Sequence, residues 1–383
     1  MTGSPQVARA ATCAVFILNG FVLGTWIVNI PAVEHRVGVG HAVFGWLLLV
    51  LGVGSFTGMQ VAGPLADRLG ARVVVPVSAA LCSAALVLPG LAVNAWTLGV
   101  ALLTLGFANG CLNVSMNTHA VQVERAYNRP VMSGFHAGFS IGGVLAALVA
   151  ARAIGWGWPT VATFTGTAVV GLLVAALCVP ALLGRENREG TPLVSGGVRE
   201  RTPRRIWALA ALAMILMLCE GVAYDWSALG LRDVLDASAS SAAWAYGAFS
   251  VAMTIGRLLT DRVTARFGPV AVVRFGASSA AAGLAVVVVS PSIAAAVTGW
   301  AIFGVGLSGC VPQLFSAAGH ADPRAAGANV ARVVGLGYLG MLAGPAVIGP
   351  LTRLAPLNVT FLLPVALCVI AACAAPLLRP RQT

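Results

Sequence analysis

The sequence contains no lysine, and only 9% of its 383 residues are charged. Without lysine it cannot form the GxxxxGK[ST] loop with which ATP-driven pumps hold phosphate. The HExxH motif is also missing, and His119, His136 and His320 are scattered over different predicted helices. The eight cysteines show no CxxC or Cys/His ligand spacing. We therefore expect neither an enzyme nor a site for a metal or a cofactor.

Long apolar runs make up most of the sequence. Hydrophobic residues make up 58% of the chain, and runs of about 20 such residues recur along its length. A helix of about 20 residues crosses about 30 Å of hydrocarbon, and twelve candidate spans use up most of the chain. The remaining loops are too short for a separate soluble domain. The sequence thus predicts an all-α polytopic membrane protein, with the lipid bilayer as its main partner.

The positive charge is distributed unevenly between the loops. All 23 basic residues are arginines, against 12 acidic residues, which gives a net charge of +11. With the N-terminus in the cytoplasm, 19 arginines, Arg257 among them, fall inside, and four fall outside. Because arginine is enriched in cytoplasmic loops, this asymmetry predicts that both termini are cytoplasmic. It also removes the reason to expect a nucleic-acid partner. The four outside arginines are Arg36, Arg152, Arg232 and Arg353.

The chain divides into two similar parts. Residues 185–205, RENREGTPLVSGGVRERTPRR, are too polar to span a bilayer and separate six predicted helices, within 1–184, from six more within 206–383. Asp67 and Asp261 lie 194 residues apart, each in a predicted loop between the second and third helix of its half. Parallel six-helix bundles of this kind are typical of secondary transporters, whose substrate site lies near the midplane where the halves meet.

The first of these loops has a recognisable sequence. GPLADRLGAR, residues 63–72, resembles the signature loop of the major facilitator superfamily, and GRLLTDR, from residue 256, is similar to its degenerate second copy. Residues 112–143 and 220–231 resemble a bacterial inner-membrane group related to the fucose permeases. The resemblance implies a fold of twelve helices in two pseudo-symmetric halves, alternating access, and a multi-pass monomer in the bacterial plasma (inner) membrane. The matching residues are Gly63, Asp67, Arg68, Gly70 and Arg72.

These residues predict a cytoplasmic gate. The two glycines allow a tight turn, and Asp67 can then meet the positive end of a neighbouring helix. The resemblance implies that this is the eleventh helix, beginning near Arg332, with Arg68 and Arg72 as competing partners. Ordinary inside-loop charges would explain the arginines but not two aspartates at equivalent positions.

By symmetry, the second aspartate predicts the same contact in the other half. Asp261, followed by Arg262, should meet the start of the fifth helix near Arg129. Breaking both contacts would let the two halves rock against each other.

Proton coupling requires a titratable group within the membrane. Glu220 and Asp225 are the only acids placed there, and a carboxylate in that setting can load and release a proton. Glu220 shares a helix face with Tyr224, whereas Asp225 lies nearer the outer end, where a structural role is as reasonable. His136 could relay protons or could be a packed hydrogen-bonding residue.

Polar residues within the predicted helices suggest a substrate cavity. Asn109, Asn113 and Asn117 are spaced four apart and share one helix stripe, which suits a cavity lining and equally an inter-helix contact. In the fucose permeases the corresponding stretch carries a coupling glutamate, and Asn113 stands there. Other candidates are Trp26, Asn29, Tyr224, Trp226, Tyr246 and Gln313, although the two tryptophans could also be interfacial anchors.

Together these features predict a proton-coupled symporter of a small polar organic solute, which is sugar-like by resemblance. The fifth predicted helix lacks the Gly-Pro step of many drug/proton antiporters, which disfavours a standard multidrug exporter. Proton-coupled efflux of a metabolite or drug stays open as an alternative. A channel or receptor on the same fold is a second alternative, and uphill accumulation would distinguish it from a carrier.

Overall fold

The computed structural model describes residues 4–39, 41–184 and 202–379. Most of the predicted linker, residues 185–201, therefore lies outside the described residues. Over the described part, fourteen α-helices follow one another with short connections, and three short 3₁₀ segments accompany them at Val179–Ala181, Pro323–Ala325 and Ala375–Leu378. The α-helices are α1 Pro5–Val37, α2 His41–Leu69, α3 Ala71–Ala85, α4 Val87–Leu91, α5 Ala95–Tyr127, α6 Met132–Gly155, α7 Thr160–Cys178, α8 Arg204–Leu235, α9 Ala239–Val289, α10 Ile293–Leu307, α11 Cys310–Ala321, α12 Ala326–Leu351, α13 Leu357–Thr360 and α14 Leu362–Ala374.

Eleven helical stretches in the described part are long and apolar enough to cross a membrane. Short neighbouring helices combine in three of them, at Ala71–Leu91, Ile293–Ala321 and Leu357–Leu378. The stretch Ser241–Val289 has 49 residues and is interrupted at Gly268, where φ is 80° and ψ is 163°. A straight helix of that length would extend about 74 Å, more than twice the hydrocarbon thickness.

Four of the described α-helices, α1, α5, α9 and α10, begin with a side-chain cap, and the helix bodies are apolar. At the start of α5 the side chain of Asn94 accepts from the backbone N–H of Thr97, and the Thr97 hydroxyl accepts from the N–H of Asn94. This reciprocal box satisfies donors that a helix start leaves unpaired. Between such ends, large apolar side chains such as Val100 and Leu177 are exposed, as expected for a surface in contact with lipid.

The helices pack closely where glycine replaces a side chain. Among the closest pairs are α1 with α6 and α2 with α5, and α8 with α12 and α9 with α10. At the α1–α6 crossing a Cβ on Gly142 would collide with the carbonyl oxygen of Ile17, whereas one on Gly143 would lie 4.0 Å from the carbonyl oxygen of Gly20. Small residues at such crossings are the usual basis of helix association in membranes, where the hydrophobic effect does not drive packing.

The Gly142 contact gives a matched pair of expected results. Gly142→Ala should lower the free energy of unfolding by about 2 kcal/mol or more, because the carbonyl oxygen that it meets belongs to a helix backbone that cannot yield. Gly143→Ala should leave stability nearly unchanged. The melting temperatures of the two purified variants in detergent test this; equal melting temperatures would contradict the close packing of α1 on α6.

Candidate functional site

A buried ion pair joins α8 and α9. Nη2 of Arg257 donates to Oε1 of Glu220 at 3.2 Å, and each side chain is only 9% exposed. Both residues lie in helices that are apolar and long enough to cross a membrane. A charge in such a helix has a high free-energy cost unless it is paired. The pairing therefore explains how both charged residues can lie there.

The prediction that Arg257 belongs to an inside loop is wrong. It lies within α9, four residues before Asp261 and so about 6 Å further along the helix axis. The charge count assigned each arginine to the nearest loop and did not consider its position along a helix. For that reason it did not predict that Arg257 is buried within α9. The available signal was Glu220 itself, because an acid within a membrane helix requires a cationic or hydrogen-bonding partner.

The guanidinium of Arg257 also reaches α6. Its Nη1 donates to Oγ of Ser140 at 3.0 Å, while its buried Nε has no acceptor among the described residues. Ser140 is the central residue of GFSIG, which has the letters of the GxSxG motif of hydrolases. It lies inside a helix, however, and not on the strand-to-helix turn that exposes a nucleophilic serine. Arg257 therefore links three helices and keeps one donor unused.

Aromatic residues surround the acid. The hydroxyl of Tyr224 donates to the same Oε1 of Glu220 at 3.1 Å. The Tyr224 ring centroid lies 5.9 Å from that of Tyr246 and 5.7 Å from that of Phe249. Tyr246 is exposed, so the ring cluster extends from the buried pair to an accessible surface.

A second polar group lies beside the pair. Nδ2 of Asn117 donates to the carbonyl oxygen of Asn113 at 2.8 Å, and its Oδ1 lies 3.2 Å from Nε2 of His136. An amide oxygen only accepts, so His136 is the donor. Ser140, one turn beyond His136 on α6, donates to the His136 carbonyl at 3.3 Å. We call these residues and the ion pair the central polar chain: Asn113, Asn117, His136, Ser140, Arg257, Glu220 and Tyr224.

The other residues predicted for the cavity and for proton coupling differ in their burial. Asn109 and Gln313 are buried, and each has a side-chain atom without a hydrogen-bond partner in the described residues, as does the indole nitrogen of Trp226. Asp225 is exposed and is not part of the central polar chain.

Trp26 and Asn29 have local contacts. Trp26 is 3% exposed and its ring lies 6.4 Å from that of Phe164 on α7, so it is packed between helices and is not an interfacial anchor. Asn29 is also buried, and it donates to the carbonyl of Thr25 on its own helix at 2.9 Å.

Asp67 contacts the start of α12. Its two carboxylate oxygens accept from the N–H groups of Gly327 and Ala328 at 2.8 and 2.9 Å. The helix begins at Ala326, so the contact lies one turn before Arg332, the residue named from the sequence. Asp67 itself lies in the last turn of α2 and not in a loop, which corrects its predicted placement.

Asp261 makes the equivalent contact with α6. Its carboxylate accepts from the N–H groups of Ser133 and Gly134 at 3.0 and 2.7 Å. It also lies within a helix and not in a loop. These two donors are the second and third residues of α6, just as Gly327 and Ala328 are of α12, and the donor pairs are 194 residues apart, as are the aspartates. We call the end of the bundle where both contacts lie the aspartate end.

The motif glycines make the first contact possible. A Cβ on Gly63 would lie 2.6 Å from Cβ of Ala331 and 2.8 Å from the carbonyl oxygen of Gly327, so only glycine lets α2 approach α12 this closely. Gly70 follows α2 with φ at 84°, and Gly268 has φ at 80°, a region that favours glycine. The remaining motif arginines differ in exposure: Arg68 and Arg262 are exposed, and Arg72 is half-buried.

Further contacts at the aspartate end escaped sequence reasoning. Oε2 of Glu124 accepts from the N–H groups of Val131 and Met132 at 2.9 and 3.0 Å, and its Oε1 accepts from the hydroxyl of Ser316 on α11. Arg125 donates to the carbonyl oxygen of Gly319. The Glu124–Ser316 and Arg125–Gly319 contacts both join α5 to α11. Their sequence signal is the charged VERAYNRP segment, residues 123–130, at the end of α5.

A cavity of about 530 Å³ lies at the aspartate end. One acidic residue and several cationic side chains line it, together with polar Gln313 and Ser316. The charged or titratable residues in the lining are Glu124, Arg125, Arg129, Arg205 and His320.

Residues 12–229 match the family model described as Major Facilitator Superfamily. The chain is 33% identical to an uncharacterized MFS-type transporter of Yersinia pestis over 92% of this chain and 91% of that protein. It is 35% identical to an uncharacterized transporter of Sinorhizobium fredii, over 96% and 97%. The structure of the E. coli fucose:proton symporter matches with a TM-score of 0.81 and 16% identity, covering 99% of this chain and 100% of that one.

Proposed function

The chain belongs to the major facilitator superfamily, and on that premise we propose that it is a proton-coupled secondary carrier of a small polar organic solute. It is a multi-pass membrane transporter and not an enzyme. We also propose the number of membrane crossings, the proton coupling and the class of solute.

Twelve crossings follow if the two arms of α9, before and after Gly268, each span the membrane. The arms in Ser241–Val289 have about 27 and 21 residues, and each suffices for about 30 Å of hydrocarbon. The proposed division is a six-helix half within 1–184, a linker at 185–205 and a second half within 206–383. The arginine asymmetry supports cytoplasmic termini in a bacterial inner membrane, and the family plan supports a monomer.

The aspartate end is then the cytoplasmic gate. Asp67 and Asp261 each connect a helix of one proposed half to a helix of the other, and Glu124 and Arg125 add two more connections. With these contacts formed, the cytoplasmic side is held shut and the solute site faces outward. Breaking them would allow alternating access by rocking of the two halves.

Proton coupling rests on the Glu220–Arg257 pair. It lies in the membrane, and through Ser140 it connects the two proposed halves. A proton on Glu220 would neutralise the acid and weaken its attraction to Arg257, so protonation changes a contact on which the relative position of the halves depends. His136 is a neighbouring group on the same chain of contacts. Asp225, which is exposed, is the weaker candidate for coupling.

The solute would bind along the central polar chain. The amides of Asn109, Asn113, Asn117 and Gln313 and the rings of Tyr224, Trp226 and Tyr246 offer hydrogen bonds and stacking for a polar ring, which agrees with a sugar-like solute. Efflux by proton exchange would use the same residues, with the proton moving inward and the solute moving outward.

Reconstitution into liposomes that contain a pH dye tests this function. With an acidic exterior, one class among sugars, sugar acids, amino acids and cationic drugs should accumulate inside above its external concentration, together with internal acidification. A protonophore should abolish the accumulation, and protein-free liposomes are the control. Equilibration without accumulation would favour a channel or uniporter, and outward solute movement driven by inward protons would identify an exporter.

A further inference from the structure

We propose that Arg257 binds a carboxylate group of the transported solute, which takes the position of Glu220 when Glu220 accepts a proton. This inference rests on the proposed proton-coupled carrier and names its solute class as an organic carboxylate.

Arg257 requires an acidic partner within the membrane. Glu220 is its acidic partner, and both side chains are 9% exposed. If a proton neutralised Glu220 while a neutral solute was bound, the guanidinium would be an unpaired cation within the membrane. Removing one partner of a buried pair is strongly unfavourable, because it leaves a buried charge uncompensated. An incoming carboxylate removes this penalty, since the arginine then exchanges one carboxylate for another.

The donors of Arg257 suit that exchange. Nη1 is held by Ser140, Nη2 faces Glu220, and the buried Nε has no acceptor among the described residues. A guanidinium presents its N–H groups as a planar fork that matches the two oxygens of a carboxylate. A solute carboxylate could therefore take Nη2 from Glu220 and also use Nε. The Tyr224 and Tyr246 rings beside the pair are available to contact the rest of the solute.

Other titratable groups near the pair do not replace this partner. Tyr224 and Cys219 lie on α8 with Glu220, Tyr246 lies on α9, His136 lies on α6, and Cys310 lies on α11. His136 is committed to Asn117, and the Cys310 thiol donates to the Gly306 carbonyl at 3.3 Å. Asp261 lies one turn beyond Arg257 on α9, but both of its carboxylate oxygens accept from the N–H groups of Ser133 and Gly134. Glu220 is the carboxylate of the central polar chain, so a second carboxylate for Arg257 comes from the solute.

The charge balance distinguishes transport of a carboxylate, such as a sugar acid, from transport of a neutral sugar. An external proton forms an O–H bond on Glu220, the Glu220–Arg257 contact opens, and the solute carboxylate binds Arg257. On the cytoplasmic side the solute leaves, Glu220 releases the proton to water, and the pair forms again. One proton and one monovalent carboxylate thus cross together with no net charge, whereas a neutral sugar with one proton would carry one positive charge.

The cavity at the aspartate end agrees with an anionic solute. Arg125, Arg129 and Arg205 line it, with Glu124 the acidic residue of that lining. An anion that leaves the central polar chain toward this end would enter a region of positive potential.

The first test does not require the natural solute. Glu220→Gln removes the negative charge beside Arg257, so acetate or benzoate should bind Arg257 and raise the variant's melting temperature by about 2 °C or more above that in acetamide or benzamide. Sodium chloride keeps the ionic strength equal. Wild type, Asp225→Asn and the double variant Glu220→Gln/Arg257→Gln should show no such difference. Equal melting temperatures for Glu220→Gln in carboxylate and amide would overturn the proposal.

A second test uses the wild type and holds even if Glu220→Gln does not fold. For the solute found by the liposome panel, an inside-negative potential of about 100 mV should leave the accumulation ratio unchanged if one proton accompanies one monovalent carboxylate. A neutral solute with one proton would gain about 50-fold. Accumulation of a neutral solute would overturn the carboxylate proposal and leave the proton-coupled carrier intact, whereas loss of uphill transport altogether would overturn both.

Discussion

Glu220→Gln is expected to abolish uphill, pH-driven accumulation of the solute in liposomes. Glutamine cannot exchange a proton, so the variant cannot couple solute movement to the proton gradient. It also leaves Arg257 without its acidic partner, and disruption of such a buried pair costs about 3–5 kcal/mol of stability. We therefore expect lower yield and a lower melting temperature together with a complete loss of accumulation, measured as the ratio of internal to external solute.

Two further variants separate coupling from folding. Asp225→Asn makes the same chemical change five residues later on α8, at an exposed position, and should retain accumulation and stability close to wild type. Glu220→Gln/Arg257→Gln removes both charges and should regain stability without regaining accumulation. If Glu220→Gln still drives uphill transport at the wild-type level, Glu220 is a structural residue and the coupling proposal fails.

Asp67→Asn is expected to shift the protein toward the inward-facing state. The carboxylate accepts two N–H groups at the start of α12, and an asparagine side chain can accept only one of them, because its NH₂ group is a donor. Hydrogen bonds to charged groups contribute about 2 kcal/mol, and the positive helix end adds to this. The ratio of inward- to outward-facing molecules should therefore rise by about 30-fold.

The shift can be measured by the rate at which a maleimide labels a single cysteine at the aspartate end. Ala317→Cys, in a background with the eight native cysteines replaced, places the thiol in the lining of the cavity. Arg68→Gln, on the next residue but exposed, is the matched control and should not change the rate. Asp67→Asn with Asp261→Asn should label faster than either single variant. An unchanged rate in the double variant would mean that the two aspartates do not hold the gate.

The contacts of Asp67 and Asp261 could be anticipated from the sequence because they are local and repeated. Asp67 and Asp261 stand at equivalent places in two similar segments, and the start of a helix offers free N–H groups to a nearby carboxylate. The identity of the partner helix came from family resemblance. What the sequence misplaced was the boundary: α2 and α9 continue through the motif, and the turns are at Gly70 and Gly268.

The candidate solute site was anticipated only in part. The spacing of Asn113 and Asn117 predicts a shared stripe on α5, and these two residues contact each other, while Asn117 also contacts His136. Trp26 has a side chain of the type expected in a cavity or at the membrane interface, yet it packs against Phe164. The helical period gives the angle of a side chain about its own axis, but it does not say which neighbouring helix that side chain meets.

The sequence by itself determined that this protein is a polytopic membrane transporter of a known family. Composition, apolar run length and a short motif suffice for that, because a bilayer imposes the same length and polarity on every span. Only the tertiary structure decided that Glu220 pairs with Arg257 and, through it, with Ser140. These residues are 37 and 117 positions apart from Arg257, and their meeting depends on how three helices are rotated and set in depth against one another.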